Sequence, residues 1–366
     1  MRELLSTIGK YALSIDRNFT KEDIMILDKL IVNAEREMII FQKSEQYNKL
    51  ALAFYYRTQK GRKMVDKKDV FLNSYAIHHR DFDEMSYSIG GHPMATLYPV
   101  FKLLSPLKQN KITLLQGLKI EIALGKIFNP GLYHSQYHPT SIIGILGSTA
   151  LSAKLLHLTA DQTVNALGIA FSFMSGVKGN FGSHAKALQV ANAAQNGLLS
   201  ALCSKNGFTA NIDLLQQNNV LKVFINKTIG TEEIKTLSIL LKKHLPLVDE
   251  FLFKKYDVCA SFHGVIDLAL RDRKQSFLRI NSIKEIRLHI HPKRLQNKYI
   301  ELPQNALQKK FSPRYLYAYA FLGKDLRKIT HSNTIYRDIL SFMKKVKVID
   351  NNTIDQWGYK SNFKWR

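Results

Sequence analysis

Two segments of the 366-residue chain set ionisable side chains at the ends of apolar or glycine-rich runs: SYAIHHRDFDEMSYSIGGHPMATLYPV at 74–100, and a longer one at 137–197 that opens YHPTSIIGILGS and holds GVKGNFGSHAK. Asp81, Asp83, His92, His138 and Lys186 fall where helix ends leave backbone donors and acceptors unpaired, so polar side chains can converge there on an anion. Such groups are costly to bury without partners. His138 is a candidate proton donor or acceptor, because an imidazole titrates near neutrality. The loop GVKGNFGSHA ahead of Lys186 carries three glycines. Its exposed amides together with the ammonium can hold a carboxylate, but it lacks the GxxxxGK[ST] spacing of a phosphate loop. His134 and His138 are four apart, a metal-ligand spacing on a helix. With Asp81, Asp83 and His92 they leave a hydrolytic metal centre as an alternative, although Gly131 and Pro139 argue against a regular helix there and no HExxH occurs. The alternative for His78, His79, Arg80, Asp81, Asp83 and Glu84 is a polar, solvated helix end whose histidines help the last carbonyls.

The elements that must position these residues are mostly helical over the first 250 positions, where apolar residues recur at three and four. Thr20, followed by KED, predicts the start of a helix holding Ile24, Leu27, Leu30, Ile31, Ala34 and Met38. Asn110 predicts the start of another, stopped by Asn129, Pro130 and Gly131. Thr159 and Gln162 form a capping-box pattern, so the preceding helix ends near His157. Gly144, Gly147, Ser148, Ala150, Ser152 and Ala153 predict close backbone packing at a bundle centre. Beyond about residue 260, IKEIRLHIH at 283–291 alternates Ile286, Leu288 and Ile290 with polar residues and predicts a half-buried strand. Helical patterns return around 313–326 and 333–345, Tyr315 falls at a core position, KVKVID offers a last strand, and the tail from Asn351 is expected to be poorly ordered. The expected fold is mainly α with a smaller α+β domain: a helical domain over 1–255, an α+β domain over 256–346, and residues 347–366 packing back on the first.

Lysine and arginine number 53 against 29 acidic residues, a net charge of +24. That balance favours anionic partners. The basic residues are spread along the chain with short clusters at 57–68 and 271–275, so no specific nucleic-acid partner is expected. With no apolar run of eighteen and no secretion-type N-terminus, the chain reads as cytoplasmic and without a membrane partner. Cys203 and Cys259 are too few for a disulfide framework or a structural zinc site.

The DFDE segment ending in GHP, YHPTS, GIAFSFMSGVKGNFGSHAKALQVANAAQNG and GFTANID, in this order, resemble the MmgE/PrpD family over roughly residues 70–345. The family includes 2-methylcitrate dehydratase, cis-aconitate decarboxylase and iminodisuccinate epimerase. The resemblance implies a large helical domain with an α+β lid and the site between them, a homodimer, and no metal or organic cofactor. It further implies lyase or isomerase chemistry on a small di- or tricarboxylate by proton transfer beside a carboxylate. Carried over by motif, the catalytic set is Asp81, His92, His138, Lys186, Lys254 and Tyr315, with Asp83, Met85, Gly182, Ser183 and Gln189 near the substrate. Asp81 and His138 are the expected proton-transfer groups, while the lysines hold carboxylates. Met85 stands where a threonine is usual, Gln189 and Asn192 where a histidine and an arginine are common, and Lys255 and Asp257 replace two prolines. A changed substrate, or a catalytically weakened anion-binding protein on the same scaffold, would follow from these departures.

Overall fold

The computed structural model describes residues 1–52, 67–105, 111–295, 299–355 and 358–365. Most of the basic run at 57–68 and the Asn110 helix start lie outside the described residues. The chain divides into two units, Met1–Val177 with Ala187–Phe253 and Lys178–Lys186 with Lys254–Arg366. The glycine-rich loop, expected within the first domain, therefore groups from Lys178 with the second unit.

Helices α1 (Arg2–Leu13), α2 (Lys21–Gln42), α3 (Glu45–Leu52), α4 (Lys67–His78), α5 (Pro93–Leu104), α6 (Lys111–His134), α7 (Pro139–Leu155), α8 (Ala160–Phe171), α9 (Ala185–Lys205), α10 (Ile212–Gln217), α11 (Leu221–Ile225) and α12 (Thr231–Lys242) make up most of the first unit, with two short paired strands, β1 (Met85–Ser86) and β2 (Phe251–Leu252). Local chemistry sets several boundaries. Thr20 and Asp23 exchange side-chain-to-backbone hydrogen bonds at the start of α2, and Thr159 and Gln162 do the same for α8. Each pair satisfies donors that a helix start leaves open.

Helix α7 lies at the centre of this unit and is buried from Pro139 to Ala153. Its small residues are required by contact: a Cβ on Gly144 would stand 2.4 Å from Thr96 Cγ2 of α5, and one on Gly147 would stand 2.2 Å from Glu121 Oε1 of α6. Among the described residues no helix is long and apolar enough to cross a membrane.

One expected boundary is wrong. Helix α6 does not stop at Asn129–Gly131 but runs on to His134. Gly131 serves a close approach instead, since a Cβ there would fall 1.7 Å from the Ile225 carbonyl oxygen of α11. Proline in the last turn forfeits one helix bond but does not force termination.

The second unit holds α13 (His263–Ser276), β3 (Ile283–Ile290), α14 (Pro292–Leu295), α15 (Ala306–Lys309), α16 (Pro313–Phe321), α17 (Arg337–Met343), β4 (Val346–Asp350) and β5 (Tyr359–Trp365). Strand β3 is central, parallel to β4 and antiparallel to β5. From Ile286 on it buries Ile286, Leu288 and Ile290 and exposes Arg287, the alternation that a pleated backbone imposes, while the pairing with β5 is irregular between the buried Ile283 and Glu285. Helix α16 packs against α13 and α17 and buries Tyr315, Leu316, Tyr317 and Phe321.

The tail corrects a second expectation: from Tyr359 it is a strand of this sheet, neither loose nor returned to the helical unit. The fold is mainly α with a smaller α+β unit.

Candidate active site

Helix α4 ends at His78, and the chain reverses through Asp81, whose φ of +55° lies in the left-handed region that aspartate tolerates better than most residues. Phe82 lies beneath two guanidinium groups, with Arg36 at 4.9 Å and Arg80 at 5.6 Å from its ring centre, which ties the reversal to α2. Strand β1 and the turn 86–91 follow, held by Glu250, which accepts hydrogen bonds from Ser86 Oγ, Ser88 N and Ser88 Oγ. His92 then precedes Pro93, the first residue of α5. This route brings residues 78, 81, 83 and 92 together.

Asp83 is enclosed by two imidazoles. Its Oδ2 is 2.7 Å from His78 Nδ1 and its Oδ1 is 3.3 Å from His92 Nδ1, and neither Asp83 nor His78 exposes any side chain. Burial alone would push this carboxyl up, but the charges and hydrogen bonds of His78 and His92 more than offset it and hold it well below the usual carboxylate range. An ionised Asp83 makes His78 Nδ1 a donor. His92 Nδ1 is also a donor, because its nearest partner is the Glu84 carbonyl oxygen at 2.8 Å. The remaining nitrogen, His92 Nε2, faces Asp81 Oδ1 at 3.7 Å.

Glu84 points into the same buried region and accepts a hydrogen bond from Asn33. Burial, and then the charge on Asp83, push it up to about 8.

His138 precedes Pro139 at the start of α7, its ring centre 5.8 Å from that of His78. His92 and His138 thus stand at two helix N-termini, where backbone donors and the positive dipole end favour anions. Thr140 joins the two starts, its Oγ1 accepting the His92 backbone N–H at 3.2 Å. Gln189, expected beside the substrate, donates from Nε2 to His138 Nδ1 at 2.8 Å. Asn192 donates to Ser175 Oγ and accepts from Asn196. Met85 is half-buried in β1, opposite Leu252.

His78, Asp83 and His92 offer ligand atoms within 4.8 Å of one another, all buried. Both Nδ1 atoms are already committed as donors, to Asp83 and to the Glu84 carbonyl, so ligation through Nδ1 would cost each ring its proton and its acceptor. The arrangement is a hydrogen-bonded acid–imidazole chain. His134 and His138 lie on different elements, at the end of α6 and the start of α7.

The other expected residues belong to the second unit. Lys186 is buried over Phe181, its Nζ 5.5 Å from the ring centre. Gly182 has φ +82°, and Ser183 Oγ donates to the Asn180 carbonyl. Lys254 is buried. Tyr315 is buried and its hydroxyl donates to the Ile329 carbonyl at 2.8 Å. Asp257 pairs with the buried Lys310 at 2.7 Å, and Lys255 pairs with Asp267 at 2.9 Å, so both residues that replace prolines make ion pairs.

Residues 57–232 match the MmgE/PrpD N-terminal domain. Over this segment the chain belongs to the MmgE/PrpD family. It is 28% identical to cis-aconitate decarboxylase of Mus musculus over 271 residues, which is 68% of this chain and 53% of that protein. It is also 28% identical to the Homo sapiens enzyme over 298 residues, 75% of this chain and 60% of that protein, and 24% identical to the Aspergillus terreus enzyme over 249 residues, 63% and 50%. The chain thus spans about half the length of the curated relatives it matches.

Within this MmgE/PrpD chain, sequence reasoning passed over His78 and Glu84 as site residues. A histidine closing a helix five positions before an aspartate was the available signal. It becomes specific only once the left-handed Asp81 folds the two together.

Proposed function

We propose that this chain is a lyase acting on a small di- or tricarboxylate, with cis-aconitate as the first substrate to test. The buried chain of His78, Asp83, His92 and Asp81 carries this reading, supported by relatives that are cis-aconitate decarboxylases. Decarboxylation of such an acid breaks the bond to one carboxylate and releases carbon dioxide. The freed electron pair forms a new double bond, and the displaced pair takes a proton.

His92 suits the proton step. With Nδ1 fixed on the Glu84 carbonyl, Nε2 is the nitrogen left for proton transfer, and Asp81 Oδ1 faces it at 3.7 Å. Asp83 holds both imidazoles in orientation and supplies their counter-charge. Lys186 and Lys254 are the proposed carboxylate-binding cations, and a water-poor setting strengthens their effect on developing negative charge. Tyr315 has its hydroxyl proton on the Ile329 carbonyl, which leaves it only acceptor capacity.

The test is incubation of the full chain with cis-aconitate, citrate-like and iminodisuccinate-like acids in deuterium oxide, followed by proton NMR and assay of carbon dioxide. Deuterium incorporation at the carbon beside a carboxylate, lost in His92→Gln, supports the proposal; no exchange and no product with any of them defeats it. Met85, Gln189 and Asn192 motivate a second reading, an anion-binding protein without turnover. It predicts a thermal shift with these acids that Lys186→Ala removes, and no exchange.

A further inference from the structure

The Gln189 side chain is held at three points. Its Oε1 accepts the Val177 N–H at 2.9 Å, and its Nε2 donates to the Val177 carbonyl at 3.2 Å and to His138 Nδ1 at 2.8 Å. The two bonds to Val177 settle which end of the amide is oxygen. Turned over, the amide would set oxygen against the Val177 carbonyl and NH₂ against the Val177 N–H, losing both.

Val177 is itself fixed against the strip that carries the histidine. Tyr137 and Val177 form an antiparallel bridge, and the His138 N–H donates to the Gly176 carbonyl at 3.0 Å. Gly176 has φ +113°, and a Cβ there would meet Ser141 Oγ at 2.9 Å and Gln189 Cδ at 3.3 Å. The turn that presents Val177 to the glutamine therefore requires glycine.

An amide NH₂ can only donate, so His138 Nδ1 must accept. A neutral ring then carries its proton on Nε2. A doubly protonated ring would set N–H against NH₂ and lose the 2.8 Å bond. Ser141 Oγ, 3.5 Å from the same Nδ1, is compatible with an acceptor there.

We infer that Gln189 is a positioning residue that keeps His138 neutral with its proton on Nε2, so that this ring serves the carboxylate substrate as a hydrogen-bond donor and leaves proton transfer to His92. The role in turnover rests on the proposed lyase function; the tautomer does not. A neutral imidazole donating to developing negative charge is an established means of stabilising enolate-like species.

The experiment uses the full chain with ¹⁵N-labelled histidine, the His138 signals assigned by their loss in His138→Asn. The expected spectrum is the Nε2–H tautomer at neutral pH, and cis-aconitate should shift the Nε2 resonance without moving the proton to Nδ1. Gln189→Glu sets a carboxylate against Nδ1 and should draw a proton there. With turnover established, kcat in this variant should fall about 10²-fold, the size of losing one preorganised donor, while KM stays within a few-fold. Gln189→Met, which neither donates nor accepts, should give a mixture of tautomers and covers the case in which Gln189→Glu fails to fold. A wild-type His138 protonated on Nδ1, or a tautomer unchanged in both variants, overturns the inference. The Nε2–H signature with no turnover of any acid supports the positioning role and removes the lyase proposal instead.

Discussion

Asp83 Oδ2 lies 2.7 Å from His78 Nδ1 with both side chains shut off from solvent. A buried pair of this kind is costly to break, because removing one charge strands the other. Asp83→Asn should therefore lower unfolding free energy by about 3 kcal/mol, the lower end of the range for breaking a buried pair, as read from urea denaturation. A loss below about 1 kcal/mol would show that the pair does not form.

The stability of the first unit should fall with rising pH on account of Glu84. Its carboxyl is raised to about 8 in the folded protein by burial and by Asp83, against 4.5 for an ordinary glutamate. The folded state thus holds a proton that the unfolded chain gives up, and the stability present below about pH 4.5 is lost as pH climbs to 8. Asp83 works in the opposite direction: its lowered carboxyl contributes stability above the ordinary aspartate range, lost as the medium becomes more acidic. Glu84→Gln should raise the melting temperature more at pH 8 than at pH 5. Parallel melting profiles for variant and wild type would refute the assignment.

Gly147→Ala drives a methyl group into Glu121, itself fully buried and bonded to Thr96. Overpacking of a close-packed core costs about 1–3 kcal/mol. Gly179→Ala is the control, with nothing within 4 Å of the added carbon, and should change stability by no more than about 0.5 kcal/mol. Equal effects from the two would contradict the packing described for α7.

Tyr315→Phe separates a structural tyrosine from a chemical one. Its hydroxyl donates to the Ile329 carbonyl, so the variant should lose about 1 kcal/mol of stability, the worth of an ordinary hydrogen bond. Activity should fall less than tenfold. A drop comparable with that of His92→Gln would show that the hydroxyl takes part in the chemistry.

Where local chemistry decides, the sequence was readable: the caps at Thr20 and Thr159, the alternation of β3 from Ile286 and the small residues of α7 all appear as expected. What could not be read depends on partners distant in the chain. Helix α6 continues past Pro130 because α11 packs against Gly131, and the polar tail became a strand because β3 offered it an edge. At the site, Asp81, His92 and His138 were visible as residue types beside glycines and prolines. Their bonding was not, since Asp83 joins His78 to His92 only after a left-handed turn, and Gln189 reaches His138 from fifty-one positions away.

Both neighbours of β3 come later in the chain than β3 does. As the polypeptide leaves the ribosome, this strand therefore emerges with an apolar face and two bare edges, a template for pairing with other nascent chains. Lys284, Glu285 and Arg287, near its start, supply the charge that discourages such pairing until β4 and β5 arrive. Substituting them with apolar residues should leave the finished sheet intact and reduce the yield of soluble protein.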